Sequence, residues 1–311
     1  MKRLTDRKII LITQKTRLDN LVRRYNTVGQ SQFFIEHHGG DFQDYLREDT
    51  VYKEAVAAAS AFLESYGRLQ RIDRDFVPGF LFGEQDIVVV IGRDGLVANT
   101  LKYLTTQKLI GVNPDPERWD GVLLPFEAGD LPKIVPETVS GIRRIRSITM
   151  AQATLSDGQS LIGVNDIFIG QRTHASARYT LQIGSRSEEQ SSSGIIVSTG
   201  LGATGWLKSI IAGAGGIGSS CGVHEKPRLD AGFTWESHYL YYTVREPYPS
   251  RSTGAELVFG KVTGSECLQI ASRMAENGVI FSDGMEQDSI EFNSGAVAAV
   301  GICEKTGNLV V

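Results

Sequence analysis

DIVVVIGRDGLVANTLKYLTTQKLIGV, Asp86–Val112, is the stretch whose reading decides the fold. Ile87–Ile91 is an uninterrupted apolar, β-branched run, which leaves no polar face for solvent and reads as a strand buried on both sides. Gly92–Gly95 (GRDG) then makes a turn, Leu96–Thr105 carries apolar residues at helical spacing, and Lys108–Val112 reads as the next parallel strand. Strand, glycine turn, helix and strand form one βαβ unit, and its ligand crevice lies at the carboxyl ends of the strands, where the turn sits. Glycines there let a phosphate approach the backbone, and the helix N-terminus supplies N–H groups and partial positive charge. Asp94 equally suits a DG turn that caps the helix. The spacing is neither GxGxxG nor GxxxxGK[ST], so dinucleotide dehydrogenases and P-loop enzymes lack their fingerprint.

Upstream, Lys8–Thr13 reads as a strand followed by a helix-compatible stretch, Arg17–Tyr25, and Asp41–Tyr66 reads as a long helix with Gly67 just past its end. Beyond the Pro-containing stretch Pro125–Pro136 the pattern changes to successive short strands. They are Arg143–Ala153, Ser160–Ile169, Arg178–Ile183, Ile195–Ser198, Tyr239–Val244, Ala255–Phe259, Cys267–Ser272 and Gly278–Ser282, with Asp157–Gly158 as a hairpin turn. Ser185–Ser193 is polar and reads as a mobile hairpin tip. A Gly/Ser-rich segment, Thr199–Gly222, interrupts the strands and carries a short helical stretch at Trp206–Ile211. The last thirty or so residues contribute two more strands that pattern alone assigns to neither half. The expected chain is an α/β N-terminal half joined to a β-rich C-terminal half.

Hydrophobic residues at 41% and charged residues at 22% of 311 suit a globular protein, and a net charge of −4 without a dense basic tract argues against nucleic acid as a partner. No apolar run approaches the roughly 18 residues of a membrane span, and the apolar run near Ile9 is too short for a signal peptide, so no membrane partner and a cytoplasmic location are expected. Cys221, Cys267 and Cys303 fit neither a disulfide framework nor a CxxC metal site and are expected reduced and mostly structural. His37–His38 reads as a surface loop. His174, His224 and His238 have no triad context, and Arg143, Arg144 and Arg146 read as a solvated face.

Two further constellations suit ligands. Asn165–Asp166 interrupts the apolar run LIGVNDIFIG, where a polar pair needs a defined partner, whether backbone or ligand; an Asx turn between two strands is the structural alternative. Ser198–Trp206 (STGLGATGW) is a hydroxyl and glycine loop between a strand and a helical stretch. It either exposes N–H and O–H donors to an anion or sugar, with Thr199, Gly200 and Gly202 as phosphate contacts, or is a flexible connector.

GRDG after an apolar strand, then ND, then SGIIVSTGLGATGWLKS with Gly215–Gly216 downstream and a late Ser282–Asp283–Gly284, occur in the order found in NAD kinases. The sequence resembles that family, whose corresponding stretches are GGDGT, an NE pair, DG followed by STPTGSTAY and a later GG, and a C-terminal DG. It is most similar to the mitochondrial-type NAD kinases, at Lys15–Thr16–Arg17, His37–His38, Gly111–Arg118 (GVNPDPER), Ser192–Ser193–Gly194, Arg245–Glu246–Pro247 and Glu291–Phe292–Asn293. Arg93 and Leu96 stand where the family has its second glycine and its threonine, and Ser193 where most members have Asp.

The resemblance implies a Rossmann-like α/β domain over 1–138, completed by 291–311, and a β-sandwich domain over 139–290 that binds NAD, with the active site in the cleft between them. It implies ATP-dependent phosphorylation of the adenosine ribose 2′-hydroxyl of NAD, with Mg2+, in a homodimer or homotetramer. Asp94 would be the catalytic aspartate. Gly95, Asn165, Asp166, Thr204, Gly205, Trp206 and Ser209 would line the NAD, and Gly92, Arg93, Thr199, Gly200 and Gly202 would meet phosphates. The alternatives are a lipid or other small-molecule kinase, since some share a GGDGT-like turn, and a catalytically weak NAD-binding regulatory homologue.

Overall fold

The long apolar runs of the sequence become the cores of two units, Met1–Arg146 with Asn308–Val311, and Ser147–Gly307. The computed structural model describes residues 3–223 and 228–311. The division comes at 146/147 rather than at the expected 138/139. The helix that ends at Ser140 is tied forward by the Ile142 and Arg143 N–H groups on the Glu137 carbonyl, at 3.0 and 3.3 Å. Only Asn308–Val311, not all of 291–311, returns to the first unit.

The first unit runs β1 (Lys8–Thr13), α1 (Arg17–Tyr25), α2 (Val28–His37), α3 (Phe42–Tyr66), β2 (Arg68–Asp73), β3 (Ile87–Ile91), α4 (Asp94–Leu101), β4 (Lys108–Val112) and α5 (Leu131–Ser140). The sheet order is β2-β1-β3-β4, all parallel, with Asn308 and Leu309 paired parallel to Lys108 and Leu109. Ile9–Ile12 and Ile87–Ile91 are buried, as a parallel sheet covered on both faces requires. Ala59, Leu63 and Tyr66 of α3 pack on one face of that sheet with Ile9, Val89 and Ile110. Thr16 opens α1 with a capping box, its hydroxyl accepting from the Asp19 N–H while the Asp19 carboxylate accepts from the Thr16 N–H. His37 is the last residue of α2, not part of a loop.

The second unit contains β5 (Ile145–Leu155, from the boundary), β6 (Ser160–Gly163), β7 (Asp166–Gln171), β8 (Ala177–Ile183), β9 (Arg186–Ser192), β10 (Ile195–Ser198), α6 (Trp206–Ser220), β11 (Tyr239–Val244), β12 (Phe259–Thr263), β13 (Leu268–Ser272), β14 (Gly278–Ser282), β15 (Met285–Glu291) and β16 (Val297–Val310). One antiparallel sheet has the order β12-β11-β10-β7-β14-β15. In the other, β16, β13, β8 and β9 are neighbours, with β5 paired to β16 and β6. Ile167, Ile169, Ile195 and Val197 of the first sheet share one core with Tyr179, Leu181, Leu268 and Ile270 of the second, which makes a sandwich.

Four expectations are corrected here. Ser160–Ile169 is two strands, because the chain bends at Val164–Asn165. Ser185–Ser193 is mostly strand β9, zipped to β8 from Ala177↔Ser192 to Ile183↔Arg186. Ala255–Phe259 is a loop and the strand starts at Phe259, since Glu188 accepts from the Glu256 and Leu257 N–H groups at 3.0–3.2 Å and takes those donors from a ladder. Cys221 and Cys267 are exposed and only Cys303 is buried, so structural packing applies to one thiol of three.

Candidate functional site

Two groups of the expected residues form, one in each unit. In the first, β3 delivers the chain to Gly92, Arg93 occupies the N-cap of α4, and Asp94 is its first residue. Gly92 is buried, Asp94 half-buried and Gly95 exposed. One oxygen of the Asp94 carboxylate, Oδ1, accepts from the Leu123 N–H at 2.7 Å. The carboxyl is therefore oriented by a loop rather than left to rotate. The ends of β1 and β3 are clamped beside it by Tyr52, whose hydroxyl accepts from the Gln14 N–H at 2.8 Å and donates to the Ile91 carbonyl at 3.1 Å. Burial pushes the Tyr52 phenol up to about 12, so it stays a donor.

Arg93 does not point into open solvent. Its guanidinium lies 4.0 Å from the Trp119 ring centroid and donates to Glu48 Oε1 at 3.2 Å. Glu48 also accepts from Arg17, and Asp44 accepts from Arg17 and Arg118, each at 2.7 Å. Hydrogen bonds from Arg118 and then Arg17 hold the Asp44 carboxyl down at about 2. The guanidiniums of Arg17, Arg93 and Arg118 thus gather beside the turn, paired with Glu48 and Asp44.

In the second unit, β7 begins at Asp166, and the bend before it is made by Asp283. That carboxylate accepts from the backbone N–H groups of Val164 (3.1 Å), Asn165 (2.6 Å) and Asp166 (3.4 Å). Asp166, paired across the ladder with Ser198, is 7% exposed. Burial first, and then the neighbouring Asp283 charge, push its carboxyl up to about 7. The Thr199 N–H donates to the Asn165 carbonyl at 3.0 Å, which joins the glycine loop to the polar pair.

The loop itself is less open than its glycines suggest. A Cβ on Gly200 would collide with the Thr234 carbonyl, and one on Gly202 with the Asn165 carbonyl, so both glycines serve close backbone packing. The Thr199 hydroxyl donates to the Val164 carbonyl at 2.6 Å and accepts from the Gly202 N–H at 3.2 Å. The Thr199 hydroxyl and the Gly202 N–H are therefore already bonded within the protein. Thr204, Gly205 and Ser209 surround the start of α6 and are exposed. Trp206, the first residue of α6, stacks on Phe168 of β7 with centroids 5.7 Å apart and planes 9° from parallel, and Arg245 lies 5.3 Å from its centroid. With Phe281 and Arg172 they line a cavity of about 160 Å3. Aromatic faces beside guanidiniums suit a flat ring attached to an anion.

Sequence reasoning did not find Glu48, Asp44, Arg118 or Trp119 around the turn, nor Phe168 beside Trp206. Phe168 carried a signal, an aromatic two residues after Asp166 on the same strand face. The acids of α3 carried none, being ordinary exposed-looking helix residues. His174 and His238 are exposed, and His224 lies outside the described residues. Among the described residues no helix is long and apolar enough to cross a membrane.

No family model matches the sequence. A probable NADH kinase of Oryza sativa subsp. japonica is 25% identical over 230 residues, 66% of this chain and 65% of that protein, so the match spans just under two thirds of the relative's length. Among solved structures, an NAD kinase from Archaeoglobus fulgidus in complex with ATP matches with a TM-score of 0.58 over 98% of this chain and 93% of that one, at 14% identity. Yeast NADH kinase complexed with NADH matches at 0.60 over 99% and 84%, also at 14% identity. Both likenesses span the α/β unit and the antiparallel β unit. In fold the chain is thus similar to an NAD kinase and an NADH kinase, and in sequence to the rice protein.

Proposed function

We propose that the chain is an NAD(H) kinase that uses ATP to phosphorylate the adenosine ribose 2′-hydroxyl of NAD or NADH, giving NADP or NADPH. The observation that carries this reading is Asp94, set at the first turn of α4 with Oδ1 fixed by the Leu123 N–H. Its other oxygen has no partner among the described residues and takes the hydroxyl proton. The hydroxyl oxygen forms its bond to the γ-phosphorus as the bond to the bridging oxygen breaks, and ADP departs. Arg17, Arg93 and Arg118 offer guanidinium groups to phosphate at the turn, and positioning supplies much of the acceleration. Gly95, with open space where a Cβ would stand, leaves the backbone there uncovered.

The second unit holds the dinucleotide in this proposal. Asn165 and Asp166 meet the ribose, Thr204, Gly205 and Ser209 offer groups at the start of α6, and the Trp206 cavity takes a ring. Thr199, Gly200 and Gly202 hold the loop in shape and offer backbone N–H groups only where these are not already bonded. Among the described residues no cluster of three or more His, Cys, Asp or Glu side chains is arranged to hold a metal. Mg2+ enters with the donor, as MgATP, bound through its phosphates. The mitochondrial type, a cytoplasmic location and a homodimer or homotetramer belong to the same proposal.

Purified protein given MgATP should convert NAD or NADH to its 2′-phosphate in a coupled assay, and Asp94→Asn should lose at least about a hundredfold in kcat while binding NAD as before. An unchanged kcat would remove Asp94 from the mechanism.

A further inference from the structure

The pocket at the ends of β1 and β3 holds a carboxylate that the proposed reaction does not use. Asp115 follows β4, is 7% exposed, and its Oδ2 is buried with no hydrogen-bond partner among the described residues. Buried carboxylate oxygens without a donor are rare in folded proteins, because their desolvation is not repaid. The main chain that carries the group is held in place. The Asp115 N–H donates to Asn113 Oδ1 at 3.1 Å, and the Asp115 carbonyl accepts from the Arg118 and Trp119 N–H groups at 3.1 and 3.0 Å. Asn113 is itself fixed, its N–H on the Phe126 carbonyl at 2.7 Å and its Nδ2 on the Trp119 carbonyl at 2.8 Å.

The surroundings decide which donor belongs there. Asp115 lines the pocket with Lys15, Glu48, Gly92, Arg93 and Trp119, and the free cavity is about 20 Å3, room for one water-sized group and not for a ring. Lys15 and Arg93 offset the charges of Glu48 and Asp115, which leaves no excess negative charge to hold a divalent metal or an ammonium. A neutral hydroxyl fits both the room and the charge. Arg93, which donates to Glu48 at 3.2 Å, offers charge to an anion attached to the same ligand. A hydroxyl close to a phosphate is the signature of a nucleotide ribose.

We propose that Asp115 accepts a hydrogen bond from a ribose hydroxyl of a nucleotide whose phosphate faces Arg93, and so is a specificity-determining residue that separates nucleoside phosphates from inorganic polyphosphate. Polyphosphate offers no hydroxyl and sets negative charge against the carboxylate. The inference rests on the reading of the turn as a phosphate-transfer site, and deepens it. The ribose can be that of the donor or of the dinucleotide, and the test separates them.

Calorimetric titration of the full chain with ATP, 2′-deoxy-ATP, 3′-deoxy-ATP, inorganic triphosphate and NAD, on wild type, Asp115→Asn and Arg93→Ala, provides that test. Asp115→Asn should weaken one ribonucleotide about tenfold and leave triphosphate unchanged, whereas Arg93→Ala should weaken the nucleotide and triphosphate together. Loss toward ATP, mirrored by an equal loss when wild type meets one deoxy-ATP, assigns the donor ribose. Loss toward NAD assigns the acceptor ribose. Affinities of Asp115→Asn all within twofold of wild type, or triphosphate weakened as much as the nucleotide, overturn the proposal. Should Asp115→Asn fail to fold, wild type still decides: both deoxy-ATPs and NAD lacking its adenosine 2′- or 3′-hydroxyl binding like their parents overturn it. Failure to phosphorylate NAD or NADH with the ribose contrast intact strikes the kinase reading alone.

Discussion

Asp166 and Asp283 are carboxylates in opposite settings. Asp283 accepts from three backbone N–H groups at the bend. Asp166 is buried next to it and is pushed up to about 7, from an ordinary 3.8. A group that holds its proton more tightly when folded stabilises the fold while that proton is present. Between about pH 4 and 7 the folded chain binds more protons at this site than the unfolded one, so its contribution falls as pH rises through that window. Three pH units correspond to an upper bound on the order of 4 kcal/mol. Asparagine mimics the protonated acid. Asp166→Asn should match wild type in urea melts only below about pH 4 and exceed it by about 2 kcal/mol or more at pH 8. Equal stability at both pH values would show that Asp166 ionises without cost. The depressed Asp44 acts below this window, since it contributes above its unfolded value and is lost toward pH 2.

At the scale of elements, the break between β6 and β7 is Asp283's work. Without its carboxylate the three N–H groups of Val164, Asn165 and Asp166 face a partly buried bend with no acceptor. Asp283→Ala should cost about 2–4 kcal/mol in chemical denaturation. Asp283→Asn should cost less, because the amide oxygen still accepts and asparagine tolerates the left-handed φ of 53° found there. A loss below about 1 kcal/mol for Asp283→Ala would mean that water or local rearrangement supplies the bend. The same contact shows where sequence reading ends. LIGVNDIFIG reads as one strand with a polar fault, because the residue that bends it lies 118 positions away from Asn165. Local pattern sufficed for β1, β3, β4 and α3, whose apolar runs and caps are written within each element. It failed for β9, where SEEQSS at 187–192 has no apolar alternation and is strand only because β8 pairs with it. It failed also for α5, whose Pro132 stands in the first helical turn and whose Pro136 lies inside the helix. Of the site, the Asp94 turn, the polar pair and Trp206 were legible as motifs; the ion cluster that holds Arg93 was not, because α3 supplies it from 45 residues away.

Across the whole molecule, the chain ends by crossing back from one unit to the other. β16 pairs with β13 at Val297–Val300 in the second unit, and its last residues pair with β4 in the first. Leu309 and Val310 are fully buried, and Val310 joins the core built from Ile9, Leu63, Val89 and Ile110. The Val311 N–H closes the segment on the Arg144 carbonyl at 3.1 Å. Burying two such side chains contributes roughly 3–6 kcal/mol, a large part of what a domain of this size has in reserve. Four residues at the C-terminus therefore complete a unit whose other members all precede position 147. Deleting Asn308–Val311 should lower protection against hydrogen exchange at the amides of β3 and β4 while leaving those of β7 and β10 close to wild type. A uniform loss across both units would show that they unfold as one. No loss in either would show that the terminal strand is a passenger, and that the parallel sheet is complete at β4.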